Sequence, residues 1–244
     1  MQVNELKGAI AKGATLRNLY GDDANVLKAQ EERYVKLIDE FVSTYGDKDL
    51  TVFSSPGRTE IGGNHTDHNH GRVLAGAVNL DNVAVASPNG TDKVRILSSG
   101  YPQFEVDLTT LTPNTDEYYT SVGLVRGICA RMKELGFTIG GFDAVINSGV
   151  PKGSGLSSSA SFEVLIGAIV SHLFNNGKLD PVLNAQIGQY AENVFFGKPC
   201  GLMDQTACSV GGLVTIDFAD PAKPIVKKVD FDFTKTGFAL VITD

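Results

Sequence analysis

The order of apolar periods along the chain predicts an α+β fold, a mixed sheet with packed helices. Segments with a two-residue period and segments with a three-to-four-residue period follow one another without the strict alternation of a doubly wound sheet. At 42% hydrophobic and 20% charged residues, the 244-residue chain can bury a sizeable core. Loops rich in Gly, Ser, Asn and Asp separate the periodic segments, which places the candidate chemistry between elements of regular structure.

Apolar side chains recur every three or four positions at Tyr34, Leu37, Ile38, Phe41, Val42 and Tyr45, predicting an amphipathic helix from Lys28 to Tyr45 that Gly46 stops. Residues 1–27 are expected to form a helical extension before it. TVFSS at 51–55 is a short β-rich run, and a loop dense in Gly, Asn, Asp and His follows from Pro56 to Gly71. VAVAS at 83–87 and VRIL at 94–97 read as strands. Val125, Ile128, Cys129 and Met132 share one face of a helix that Gly136 terminates, and FDAVIN at 142–147 alternates as a strand.

A Gly/Ser loop from Gly149 to Ser159 leads into an apolar helix from Ala160, and a further helix carries Ile187, Tyr190, Ala191, Val194 and Phe195 before ending near Gly197 and Pro199. Strands are expected again at 213–218 (LVTIDF) and, after an acidic loop, at 238–243 (FALVIT). That last run has no turn or cap beyond it, so more chain is expected after Asp244.

With 21 Lys and Arg against 28 Asp and Glu, the net charge of −7 and the lack of any basic run argue against nucleic acid or an anionic membrane surface as partner. The N-terminus mixes charged and apolar residues, unlike a secretion signal. The longest apolar stretch, Ala160 to Phe174, is broken by Glu163 and His172 and falls short of the roughly 20 residues a bilayer requires. Cys129, Cys200 and Cys208 form no CxxC pair, which fits reduced thiols and a cytoplasmic protein.

The string GVPKGSGLSSSAS places Gly149, Gly153 and Gly155 with Ser157, Ser158 and Ser159 directly before an apolar helix. Glycines let backbone N–H groups approach an anion, serines add hydroxyl donors and Mg²⁺ ligands, and the helix N-terminus adds positive potential. The string is neither a Walker loop nor a Rossmann turn. A flexible connector with a serine N-cap is the other reading.

PKGSGLSSSAS resembles the phosphate-binding motif of the GHMP kinases. SPGRTEIGGNHTDHNHGRVL at 55–74 is similar to the galactokinase signature, and GKPCGLMDQ at 197–205 to the galactokinase segment that bears the catalytic Asp. The resemblance implies an N-terminal domain with the ribosomal protein S5 domain 2-like fold over residues 28–235, and the start of a C-terminal domain at 236–244. It also implies transfer of a phosphoryl group from ATP, with Mg²⁺, to the anomeric hydroxyl of galactose.

Carried over by resemblance, Asp204 is the catalytic carboxylate and Arg58 its cationic partner. Lys152, Gly153, Ser154, Gly155, Leu156, Ser157, Ser158 and Ser159 hold the nucleotide; Glu192 with Ser158 or Ser159 holds Mg²⁺. Asn64, His65, Asp67 and the Gly201 backbone, with Arg58 and Asp204, contact the sugar. His65, Asp67, His68 and His70 also admit a transition-metal reading, since three of the four histidines fall within six residues. The match of this loop to a sugar-contacting one weighs against it.

Three substitutions depart from the family pattern: Asn64 stands for a Glu, Glu60 for an Asn and His68 for a Tyr. N-acetylgalactosamine or galacturonate is therefore an alternative substrate. A regulator that binds sugar and ATP without turnover is the rival of a different class, opposed by the retention of Arg58, Glu192 and Asp204. A kinase of homoserine or mevalonate is weakened by CGLMDQ and the HTD loop. Taken alone, the chain is expected to be inactive and to self-associate through its unfinished C-terminal edge.

Overall fold

The computed structural model describes residues 1–231, 233–239 and 241. In chain order these form α1 (Val3–Ala11), α2 (Ala14–Tyr20), α3 (Ala24–Tyr45), β1 (Thr51–Gly62), β2 (Arg72–Pro88), β3 (Lys93–Ser98), β4 (Phe104–Asp107), α4 (Ser121–Glu134), β5 (Phe142–Ser148), α5 (Ser158–Asn175), α6 (Pro181–Val194), α7 (Met203–Val210), β6 (Leu213–Asp217) and β7 (Ile225–Val229).

One mixed sheet runs β4-β3-β5-β2-β6-β7. Its organising strand is β2, which pairs with β1 on one edge and offers the opposite edge to β5 through residues 82–88 and to β6 through 72–76. Among the described residues only β3 and β5 pair in parallel, and the other pairings are antiparallel. The fold is the expected α+β arrangement.

Period-two patterning sends alternate residues of β2 to two different cores. Val83 and Val85, with Val145 of β5, pack on Tyr34, Leu37, Ile38 and Phe41 of α3 and on Leu6, Ile10, Leu16 and Tyr20 of α1 and α2. Ala84 and Ala86, with Ala144 and Ile146, face Ile128 and Met132 of α4, Leu165 and Ile169 of α5, and Ile187 of α6. The sheet is thus sandwiched between α1–α3 and α4–α6, and a third cluster seats Met203 and Ala207 of α7 on Val73, Ala75, Val214 and Ile216.

α3 begins at Ala24, earlier than its apolar stripe suggests, because the Asp23 carboxylate caps it by accepting from the Asn25 and Val26 N–H groups at 2.8 and 3.1 Å. β1 extends through the expected loop to Gly62, so Arg58 lies on a strand. Bulges between Pro56 and Arg58 and between Glu60 and Gly62 let it turn while paired. The expected acidic loop after β6 contains β7, an edge strand whose Lys227 and Lys228 interrupt any alternating pattern. In the expected strand 238–243, Phe238, Ala239 and Val241 are exposed and lie outside any strand; 240 and 242–244 lie outside the described residues.

A part-buried polar cluster around the buried Asp81 ties the α3 layer to the start of the phosphate loop. Arg33 donates to Asp81 Oδ1 at 2.7 Å and to the carbonyls of Asp81 and Asn147, while the Asp81 carbonyl accepts from Gly149 N at 2.7 Å. Among the described residues no helix is long and apolar enough to cross a membrane, and all three cysteines are free.

Candidate functional site

β1, the loop before α5 and the start of α7 meet where the three sequence motifs converge. Arg58, buried at 6% exposure, donates from Nε to Asp204 Oδ1 at 2.8 Å, with Nη2 2.7 Å from the same oxygen. Its Nη1 donates to the Gly155 carbonyl at 2.5 Å, and its backbone N to the Leu156 carbonyl at 3.1 Å. The other carboxylate oxygen, Asp204 Oδ2, accepts from Ser157 Oγ at 2.5 Å. Charge-assisted bonds of this kind are the strong ones in proteins.

Asp204 stands in the first turn of α7, where the helix dipole favours negative charge, and its side chain stays 34% exposed. The strand approaches the phosphate loop so closely that a Cβ at Gly57 would lie 2.8 Å from the Leu156 carbonyl oxygen.

Within the loop, Gly153 and Gly155 adopt φ of 78° and 74°, conformations that favour glycine and turn the backbone into α5. Ser154 Oγ donates to the Pro151 carbonyl, and Lys152 Nζ sits 4.4 Å from the centroid of the Tyr101 ring. Ser157 occupies the N-cap position of α5 in the left-handed region and makes no capping hydrogen bond, against the simple serine-cap reading.

The HTD loop is pinned to the start of α7. Asp67, in the 3-10 turn Thr66–Asn69, accepts from Met203 N at 3.3 Å through Oδ2, while its buried Oδ1 has no hydrogen-bond partner. His68 Nε2 lies 3.8 Å from that Oδ1. Asn64 and His65 both adopt left-handed backbone, with φ of 57° and 52°, and both are exposed. Glu60 holds this turn with both oxygens: Oε1 accepts from His65 N at 2.8 Å, and Oε2 lies 3.0 Å from His65 Nε2. Sequence reasoning noted Glu60 only as a substitution; its role as the clamp on His65 needed the register of β1.

Glu192 is placed apart from this constellation. It is 3% exposed on α6, accepts from Gln205 Nε2 at 3.0 Å and lies 3.4 Å from Lys198 Nζ. No hydrogen bond joins it to Ser158 or Ser159 among the described residues. The same Gln205 amide donates to Glu163 Oε2 at 3.0 Å. Burial, and then the charge of Glu192, push the Glu163 carboxyl well above the ordinary glutamate range. In sequence Glu163 only interrupts an apolar helix; in the fold its side chain is fully buried, and its Oε1 has no hydrogen-bond partner among the described residues.

The Glu192 carboxylate on α6 and the Ser158 and Ser159 hydroxyls at the start of α5 are hard oxygen donors of the kind Mg²⁺ takes alongside phosphate oxygens, so the donor types fit that ion. Among the described residues no three His, Cys, Asp or Glu side chains gather as a metal cluster. His65 and His68 turn instead to Glu60 and Asp67.

Residues 123–212 match the GHMP kinases N terminal domain, and residues 39–88 match the galactokinase galactose-binding signature. A galactokinase of Clostridium tetani (strain Massachusetts / E88) is 35% identical over 176 residues, covering 72% of this chain and 45% of that protein. Among solved structures, the Lactococcus lactis galactokinase complexed with galactose is 30% identical with a TM-score of 0.73, over 81% of this chain and 52% of that one. The Methanococcus jannaschii mevalonate kinase shares the fold at 18% identity and a TM-score of 0.61, over 77% of this chain and 58% of that one. The chain spans about half the length of the galactokinases it matches. The chain thus matches the GHMP kinases N terminal domain and the galactokinase galactose-binding signature, and is similar over about half their length to galactokinases.

Proposed function

We propose that this chain is the ATP- and sugar-binding portion of a galactokinase, an enzyme that moves the γ-phosphoryl group of ATP to the anomeric hydroxyl of galactose. The observation that carries the reading is the Arg58–Asp204 pair, set between the phosphate loop and the HTD loop. In the reaction the sugar oxygen bonds to the γ-phosphorus, the bond from that phosphorus to the β–γ bridging oxygen breaks, and ADP leaves. Asp204 takes the hydroxyl proton, and Arg58 holds Asp204 while offsetting the negative charge of the transferred group.

Residues 152–159 cradle the triphosphate with backbone N–H groups, to which Ser158 and Ser159 add hydroxyls. Asp67, whose buried Oδ1 lacks a protein donor, accepts from a sugar hydroxyl, aided by His65, Asn64 and the Gly201 backbone. Mg²⁺ bound by Glu192 and Ser158 or Ser159 would neutralise phosphate charge. The free thiols support a cytoplasmic setting.

A second reading of the substrate rests on Asn64, exposed at the rim of the sugar loop where a carboxylate would repel an anionic substituent. Galacturonate or N-acetylgalactosamine is its substrate class. The test is a panel of sugars offered with ATP and Mg²⁺ to the complete protein, with ADP release followed. Galactose turned over best supports the first reading, galacturonate or N-acetylgalactosamine the second. No turnover of any sugar overturns the kinase assignment in favour of a binding protein. Residues 1–244 alone are expected to fold at least in part but phosphorylate sugar poorly.

A further inference from the structure

A serine at the N-cap of a helix ordinarily turns its hydroxyl to the free N–H groups of the first turn. Ser157 does not: its φ and ψ of 58° and 57° place it in the left-handed region, and it caps nothing. Glycine tolerates that conformation and a side chain disfavours it, as Gly153 and Gly155 show in the same loop. The side chain at 157 is therefore held against backbone preference. Its hydroxyl donates to Asp204 Oδ2, 47 residues away.

We propose that Ser157 is a positioning residue for the Asp204 carboxylate, a role that rests on the kinase reading above. Arg58 fastens Oδ1 through Nε and Nη2, and Ser157 fastens Oδ2. A carboxylate bound at one oxygen can rotate about its terminal bond; bound at both, it presents one plane and one remaining direction for the sugar hydroxyl.

The same contacts join the carboxylate to the nucleotide loop. Arg58 also holds the carbonyls of Gly155 and Leu156, the two residues before Ser157, so strand β1, the loop and the start of α7 form one hydrogen-bonded unit. Ordering the loop on a triphosphate thereby orders the group that receives the proton.

The test is Ser157→Gly in the complete protein, alongside Asp204→Asn and the double variant, with kcat, KM for ATP and melting temperature measured for each. Glycine suits the left-handed backbone, and the change removes the CH2OH side chain with its hydroxyl. The melting temperature should hold or rise, KM for ATP should stay within about twofold, and kcat should fall by about ten- to a hundredfold, the loss expected when one hydrogen bond to a charged group disappears. In the Asp204→Asn background the same change should have no further effect on kcat.

Wild-type kcat in Ser157→Gly, with Asp204→Asn inactive, overturns the positioning role and leaves the kinase reading intact. A raised KM for ATP with kcat unchanged assigns the hydroxyl to the nucleotide and also overturns it. A melting temperature that falls in step with kcat marks a structural role and does the same. Normal turnover by Asp204→Asn removes the carboxylate's catalytic role, and this proposal with it.

Discussion

Gly201 and Asp67 are in such close contact that a Cβ added at 201 would lie 1.8 Å from Asp67 Oδ2. The HTD loop and the segment leading into α7 pack backbone against carboxylate, and Asp67 Oδ2 at the same time accepts from Met203 N. Only glycine leaves room for that arrangement.

Gly201→Ala should therefore push the Asp67 carboxylate off Met203 N and disturb the start of α7. The expected cost is about 1 to 3 kcal/mol of stability, with kcat/KM for the sugar reduced roughly tenfold or more through the misplaced contact. Chemical denaturation and steady-state kinetics on the purified variant measure both. Unchanged sugar kinetics would remove Asp67 from the sugar site.

On the proposed reading, in which the carboxylate serves the acceptor's proton and not the nucleotide, Asp204→Asn should reduce turnover by about a hundredfold to ten-thousandfold while ATP affinity holds within about twofold. Rapid-quench kinetics and calorimetric ATP binding separate the two effects. Arg58→Ala should be nearly as damaging and should also destabilise the fold, since it deletes a buried side chain that bonds both α7 and the phosphate loop.

Asn64→Glu restores an acceptor-only carboxylate to the sugar loop. The ratio of kcat/KM for galactose over galacturonate should rise by about tenfold or more, the size of one charge-assisted hydrogen bond gained and one repulsion added. An unchanged ratio would transfer the selectivity to Glu60 and the His65 it clamps.

Glu163 gives a pH dependence whose sign follows from its environment. Burial, and then the charge of Glu192, raise its carboxyl above the unfolded value, so the native state favours the protonated form. The associated stability is fully present below the unfolded glutamate range and is lost as pH rises through the folded value. Glu163→Gln mimics the neutral acid at every pH. In metal-free buffer with chelator, the variant should exceed the wild type in stability at pH 8, on the order of 1 kcal/mol, and the difference should shrink toward pH 4.5. Urea denaturation across that range checks it; parallel curves would show that Glu163 is ionised in the folded protein.

Residues close together in the chain were readable without the structure, because period and loop chemistry are local properties. The apolar stripe of α3, the alternation in β2 and β5 and the glycines before α5 report backbone periods and turns. The motifs also identified Arg58, Asp204 and the serine loop as parts of one site. Tertiary structure decided what the local signals leave open. Arg58 and Asp204, 146 residues apart, meet only because β1 pairs with β2 and α7 packs on the same sheet. In sequence Ser157 is one serine of a loop that feeds a helix; only the fold turns its hydroxyl to Asp204, from a left-handed backbone. Glu163 looked like a polar break in an apolar helix, and three packed helices bring it to Gln205 and Glu192. β7, with two lysines in five residues, carries too weak a pattern of its own and becomes a strand through hydrogen bonds to β6. Such pairings arise from contacts between distant residues, and no period or composition within a single segment encodes them.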